Sequence, residues 1–205
     1  ADLSGEAWAS QLSDTVKPFV SIEDTIYAAP LELIPIGLFA NMDLLKQAGV
    51  ETFPSTWSDF TAALDALKTA GLPGLAMPNK GAYTADAIIN GAASTLVYKP
   101  NPAWGADLLA GKVTFEDWRT SIDQFLSLGS NGYVDFAAAL GIDEWGQGLA
   151  DFKAGKSAFL YQGAWNLTDF QASVPSVEFG PWPADDSAAP WATLFSGINW
   201  SVNAD

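Results

Sequence analysis

The sequence predicts an α/β domain, and three observations carry that prediction. Segments with helical periodicity alternate along the chain with short strand-like apolar runs, the pattern of strands joined through helices. The 205 residues are 49% hydrophobic and only 16% charged, which provides a core and argues against a disordered chain. No internal repeat or low-complexity stretch points to a solenoid or a fibre.

The elements follow in order. Residues 5–13 are weakly helical, and residues 21–29 read as extended with turn residues. Ile34 to Phe39 is an apolar, partly β-branched run that predicts a buried strand. Asn41 caps a short helix through Leu44, Leu45 and Ala48, and Gly49 stops it. The clearest helix comes next. Thr56 and Asp59 form its capping signature, and Trp57, Phe60, Leu64 and Leu67 form its apolar stripe. Gly71 ends it, and Leu72 to Met77 returns as a strand. Thr84 opens a helix through Ile88 and Ala92. Thr114 and Asp117 repeat the capping signature ahead of Phe115, Trp118, Ile122 and Phe125, and residues 129–132 are a turn. Trp145, Leu149 and Phe152 form another helical stripe, which assigns Trp145, like Trp57 and Trp118, to core packing. A short helix follows Trp165 as far as Phe170. Val177 to Pro190 is Pro-rich and irregular, and Ala192 to Val202 reads as a last strand interrupted at Ser196-Gly197.

Composition excludes several function classes. With no Cys and no His, the chain has no thiol nucleophile, no Ser-His-Asp triad and no imidazole base, and few routes to zinc. A net charge of −15 opposes binding to nucleic acid and to anionic lipid surfaces. No apolar run approaches the roughly 20 residues of a membrane-spanning helix. No cofactor is expected. The start at Ala1, without Met or a signal peptide, reads as a mature or excised piece.

The segment from Asp151 to Trp165 says most about function. Ala150 to Ser157 spells A-x-x-x-x-G-K-S, one residue short of a phosphate-binding P-loop. A P-loop needs strand, glycine loop, then helix. Here a helical stripe precedes Gly155 and a strand-like run, Ser157 to Tyr161, follows it, so Gly155 reads as a helix C-terminal glycine. Gly163 then releases Trp165 just past the strand. An aromatic beyond the carboxyl end of a strand lies where open α/β sheets bind ligands. An indole offers a flat apolar face and one N–H donor, which suits a sugar ring. The alternative is a Trp that caps the core from a loop.

Several blocks carry a family resemblance. They are Tyr27-Ala28-Ala29-Pro30, Gly37 to Leu45 with its Asn41-Met42-Asp43-Leu44 helix start, Ala48-Gly49-Val50, and Pro54-Ser55-Thr56-Trp57. A second group is Phe152 with Gly155 to Ala158 and Gly163-Ala164-Trp165, and a third is Ser196-Gly197-Ile198-Asn199. In this order they resemble the extracellular solute-binding proteins of bacterial ABC importers, of the carbohydrate-binding, maltose-binding-protein-like class. The resemblance spans nearly all of this chain but about half of such a protein. It implies a periplasmic-binding-protein-like lobe with a central, mostly parallel sheet flanked by helices. Residues 1–29 would end a first-lobe segment with its hinge strand, 30–190 would form the second α/β lobe, and 191–205 would return towards the first lobe. It also implies an extracytoplasmic, non-enzymatic receptor, in the periplasm or as a cell-surface lipoprotein. Its partners would be a mono- or oligosaccharide and a membrane permease, with hinge closure hiding the sugar. Self-association of the fragment is a further expectation.

By position, Trp165 resembles the family's ring-stacking Trp and Tyr83 a sugar-touching aromatic; for Tyr83 the alternative is a hydrophobic staple at a helix start. Glu32, after the hinge Pro30, could accept hydrogen bonds from vicinal hydroxyls or be a solvated charge. Gly163 and Ser196 complete the candidate ligand-binding set; no catalytic or metal residue is assigned. Trp182 and Trp191 are candidates for lining the cleft. The acidic pairs Asp143-Glu144 and Asp185-Asp186 read as helix-start or solvated loop charges. Two alternatives stay open: a glycoside hydrolase, which needs a facing pair of carboxylates, and a non-catalytic adhesion module.

Overall fold

The computed structural model describes residues 1–187 and 189–204; Ala188 and Asp205, which fall within the expected 30–190 and 191–205 segments, lie outside the described residues. The strands are β1 (Ser21–Ile22), β2 (Thr25–Ile26), β3 (Ala29–Pro30), β4 (Leu33–Asn41), β5 (Leu75–Ala76), β6 (Phe159–Gly163), β7 (Val177–Gly180), β8 (Thr193–Ser196) and β9 (Asn199–Trp200). The α-helices are α1 (Lys17–Val20), α2 (Met42–Gln47), α3 (Trp57–Thr69), α4 (Tyr83–Ala93), α5 (Trp104–Leu109), α6 (Arg119–Ser130), α7 (Phe136–Ala139), α8 (Gln147–Lys153) and α9 (Leu167–Ser173). The chain divides into two compact units, residues 1–35 with 194–205, and residues 36–193.

In the smaller unit, β1 and β2 form a hairpin that pairs Ile22 with Thr25. Its two turn residues, Glu23 and Asp24, both have positive φ (49° and 67°), the twist that a two-residue hairpin turn requires. β3 pairs antiparallel with β9, placing Ala29 opposite Trp200. Leu3, Ala9, Val20 and Ile26 form a small core.

The larger unit is built on a sheet ordered β5-β6-β4-β7. β5 and β6 are parallel, whereas β4 is antiparallel to both β6 and β7. The expected mostly parallel sheet is thus corrected to a mixed one, in which β5, β6 and β7 share a direction and β4, between them, opposes it. The apolar run of β4 records burial on both faces, and burial carries no information on strand direction.

The period of two along the strands builds two cores. Ile36, Leu38 and Ala40 face one side with Phe159 and Tyr161, against Phe60, Leu64 and Leu67 of α3 and Ile88 of α4. Phe39 and Leu160 face the other, against Phe152 of α8 and Phe170 of α9. Helices therefore cover both faces of the sheet, the layering of an α/β lobe. The predicted caps form: Asn41 Oδ1 accepts from the Asp43 and Leu44 N–H groups at 3.2 and 3.3 Å, and Thr56 Oγ1 accepts from the Asp59 N–H at 3.1 Å.

Two further expectations are corrected. Val177–Gly180, read as irregular, is strand β7, because the stretch between Pro175 and Pro181 is free of proline and suffices for an edge strand. Trp182, a candidate for the cleft, is 1% exposed and packs on Phe60 and Tyr161 at 5.1 and 5.5 Å in the main core.

Candidate functional site

The helix–glycine–strand order around Gly155 is present in the structure. Gly155 has φ +70°, just past the end of α8. Its N–H donates to the Phe152 carbonyl at 3.0 Å and the Lys156 N–H to the Asp151 carbonyl at 2.9 Å. These amides close a helix C-terminus, so they are not the phosphate cradle that opens a helix. β6 is buried along its whole length, and the turn Ala164–Asn166 beyond it carries Trp165 to the surface, 42% exposed. The indole folds back over Gly163: a Cβ at that position would overlap the six-membered ring. Gly163 is therefore the bare floor that this ring orientation requires.

Trp165 has neighbours. Its ring lies 6.3 Å from that of Trp145, with 33° between the planes, and Trp145 lies 4.8 Å from Tyr83 at 46°. The three rings form a row, Tyr83–Trp145–Trp165. Trp145 is 52% exposed, which corrects its assignment to the core. α8 begins only at Gln147, so Trp145 sits in the turn ahead of the helix, and the stripe it shares with Leu149 and Phe152 starts outside the helix. The signal that could have found it is Gly146, directly after the Trp and bonded through its N–H to Asp143 Oδ2 at 2.5 Å, a turn that delays the helix start.

Glu144 is the second departure from expectation. It is buried, not solvated, and its Oε1 accepts the Gly81 N–H at 2.7 Å and the Tyr83 N–H at 3.3 Å. It serves a helix start, but that of α4, 61 residues earlier in the chain. The N-cap position of α4 is Ala82, at φ +65° and with no side-chain acceptor. The remote carboxylate takes over the orphan amides there.

Tyr83 opens α4 with its ring half-buried, and its hydroxyl is buried with no hydrogen-bond partner among the described residues. Burial, and then the nearby Asp86 carboxylate, push its pKa up to about 12. The neutral phenol is favoured in the folded state, so any stability tied to it is intact below the ordinary tyrosine pKa and declines as pH rises from about 10 towards 12. A phenolate absorbance titration of the chain and of Tyr83→Phe is expected to differ by one step near pH 12; a missing step near pH 10 would contradict the placement of this hydroxyl.

The structure brings Trp165, Gly163 and Tyr83 together in the larger unit. Glu32 and Ser196 belong to the smaller unit. There the exposed Glu32 carboxylate lies beside Gly197, where a Cβ would come 2.5 Å from its Oε1, and the Ser196 hydroxyl is 3.0 Å from Asn199 Oδ1. Glu32 also lines a concavity of about 350 Å³ with Gln11, Leu12 and Pro30. A cavity of about 240 Å³ in the larger unit lies elsewhere, among Met77, Pro78, Tyr133, Ala138 and Lys156, and none of the three rings lines it. The exposed ring row is the better candidate, because its flat faces are what a sugar can stack on, whereas the cavity is walled mainly by aliphatic side chains. Among the described residues no group of three acidic side chains is placed to hold a metal ion, and no helix is long and apolar enough to cross a membrane.

A family model described as a bacterial extracellular solute-binding protein matches residues 1–205, the whole chain. The chain belongs to this family. Solved structures carry the same fold. The solute-binding chain resembles a chitin oligosaccharide binding protein with a TM-score of 0.80 at 20% identity, over 99% of its own length and 53% of that protein's. A family 1 extracellular solute-binding protein from Bifidobacterium longum subsp. infantis matches at 0.76 and 23%, over 100% and 53%. A sugar transporter from Bacillus licheniformis, solved in complex with stachyose, matches at 0.71 and 21%, over 100% and 55%. The chain thus spans about half the length of these solved relatives. No curated protein matches it.

Proposed function

We propose that this solute-binding chain is part of the sugar receptor of an ABC importer, and that it takes an oligosaccharide on the row Tyr83–Trp145–Trp165. The observation that supports this most directly is the row itself, with two neighbouring exposed indoles, one of which lies over a glycine floor. Adjacent flat apolar faces suit successive sugar rings, whose C–H faces stack while their hydroxyls stay wet. Within the smaller unit, Glu32 and Ser196 are proposed separately as polar ligand contacts. In the complete protein, closure around the sugar would present it to a membrane permease, with the closed state favoured only as far as the sugar binds it better than the open one. The chain itself performs no chemistry in this proposal. The carboxylate beside the row, Glu144, is buried and accepts two backbone N–H groups, a poor position for an acid or base facing a glycosidic bond.

Binding to this chain alone is expected to be weak, because half of a site loses the contacts and closure of the other half. Titration with stachyose and with chitin oligosaccharides, followed by tryptophan fluorescence, should saturate in the roughly millimolar range, about −4 kcal/mol. No response to any oligosaccharide, or release of reducing sugar during the titration, would overturn the proposal.

A further inference from the structure

We infer that Glu144 is a positioning residue for ligand recognition: its buried carboxylate clamps the turn that carries Tyr83 to the turn that carries Trp145. This rests on the proposal that the ring row binds sugar. The two turns meet along a short ladder. The Asn79 N–H donates to the Ala139 carbonyl and the Lys80 N–H to the Ile142 carbonyl, both at 3.1 Å. The ladder then changes partner, and Glu144 Oε1 accepts the Gly81 and Tyr83 N–H groups. Gly81 has room for little else, since a Cβ there would come 3.3 Å from both carboxylate oxygens.

Glu144 and Trp145 are consecutive, as are Ala82 and Tyr83, so anchoring one backbone on the other's carboxylate brings the two rings to 4.8 Å. The residue between the two donors, Ala82, is held in the left-handed region without being glycine, a conformation that persists only where surrounding contacts impose it. A buried carboxylate is costly unless its acceptor capacity is used, and amide donors at a helix start use it well. The clamp therefore stabilises one arrangement of the rings before any ligand arrives, which reduces the ordering cost of binding.

The test substitutes Glu144 in the 205-residue chain labelled with 5-fluorotryptophan, with Trp145→Phe assigning the Trp145 signal among the nine tryptophans. Glu144→Gln keeps the acceptor oxygen and should leave the Trp145 resonance and the stachyose or chitin oligosaccharide affinity within about twofold of wild type. Glu144→Ala removes it, and Glu144→Asp withdraws it by one methylene. Both should shift and broaden the Trp145 resonance without ligand and weaken binding by about tenfold. Where Glu144→Ala fails to fold, the Asp and Gln pair decides. An unmoved Trp145 resonance in folded Glu144→Asp overturns the inference. So does a Gln variant that loses affinity with its Trp145 signal unchanged, since that pattern belongs to a carboxylate touching the sugar. Should wild type bind no oligosaccharide, the sugar-binding proposal fails alone, and the ligand-free resonances still decide the clamp.

Discussion

Phe39→Ala is expected to lower the unfolding free energy of the larger unit by about 3–5 kcal/mol, a large share of the 5–15 kcal/mol typical of a domain. Phe39 is fully buried in β4 and is the hub of a ring cluster, 4.8 Å edge-on to Phe170, 4.6 Å from Phe179 and 6.3 Å from Phe152. Those three rings come from α9, β7 and α8, so removing the hub leaves a cavity that no single element can close. The loss combines the transfer free energy of the ring with the unfilled space and the lost edge-to-face contacts. In a denaturant titration the midpoint should fall with little change in slope, and the melting temperature should drop by roughly 10 °C. Leu109→Ala, at a side chain 91% exposed, should stay within about 0.5 kcal/mol of wild type. A Phe39→Ala cost no larger than that of Leu109→Ala would show that the second core does not hold the sheet.

The value of Phe39 was partly legible in the sequence, and the limit is instructive. Its apolar run announced a strand buried on both faces, and the alternation of Leu38 and Phe39 between two cores follows from the period of two. Local signals also located the helices: Asn41 and Thr56 cap where capping residues should, and Gly49, Gly71 and Gly155 stop helices with φ between +68° and +82°. What stayed hidden was whatever depends on partners far along the chain. The direction of β4 relative to β6 is set by pairings such as Phe39 with Leu160, which no local pattern encodes. Trp145 was misplaced because a spacing of four and three is shared by a helix and by the turn just ahead of it. For Glu144 a helix-start or a solvated-loop role was open, and the helix it serves stayed hidden because its donors, Gly81 and Tyr83, are 63 and 61 residues away. Of the candidate site, Trp165 was found because strand, glycine and loop aromatic are consecutive, whereas the ring beside it required the tertiary structure.

Gly163→Ala should weaken sugar binding as much as Trp165→Ala does, although it leaves every aromatic in place. Trp165→Ala removes one stacking face and is expected to cost about 1–3 kcal/mol of affinity. Gly163 has φ −74° and ψ 147°, an extended conformation open to alanine, so its substitution puts no strain on the backbone. The obstacle is the indole alone, which occupies the space a Cβ needs. The ring ends a side chain that can change rotamer at the surface, so it should swing away and leave the lobe stable to within about 1 kcal/mol. Displaced from the floor, it also leaves the 6.3 Å contact with Trp145, and the row loses its end ring. Because both substitutions act through one ring, their effects should not add: the double variant should bind like Trp165→Ala. Fluorescence titration of the four proteins with the same oligosaccharide measures this cycle. Full affinity in Gly163→Ala, or additive losses in the double variant, would mean that the orientation of the indole over its glycine is irrelevant to the ligand.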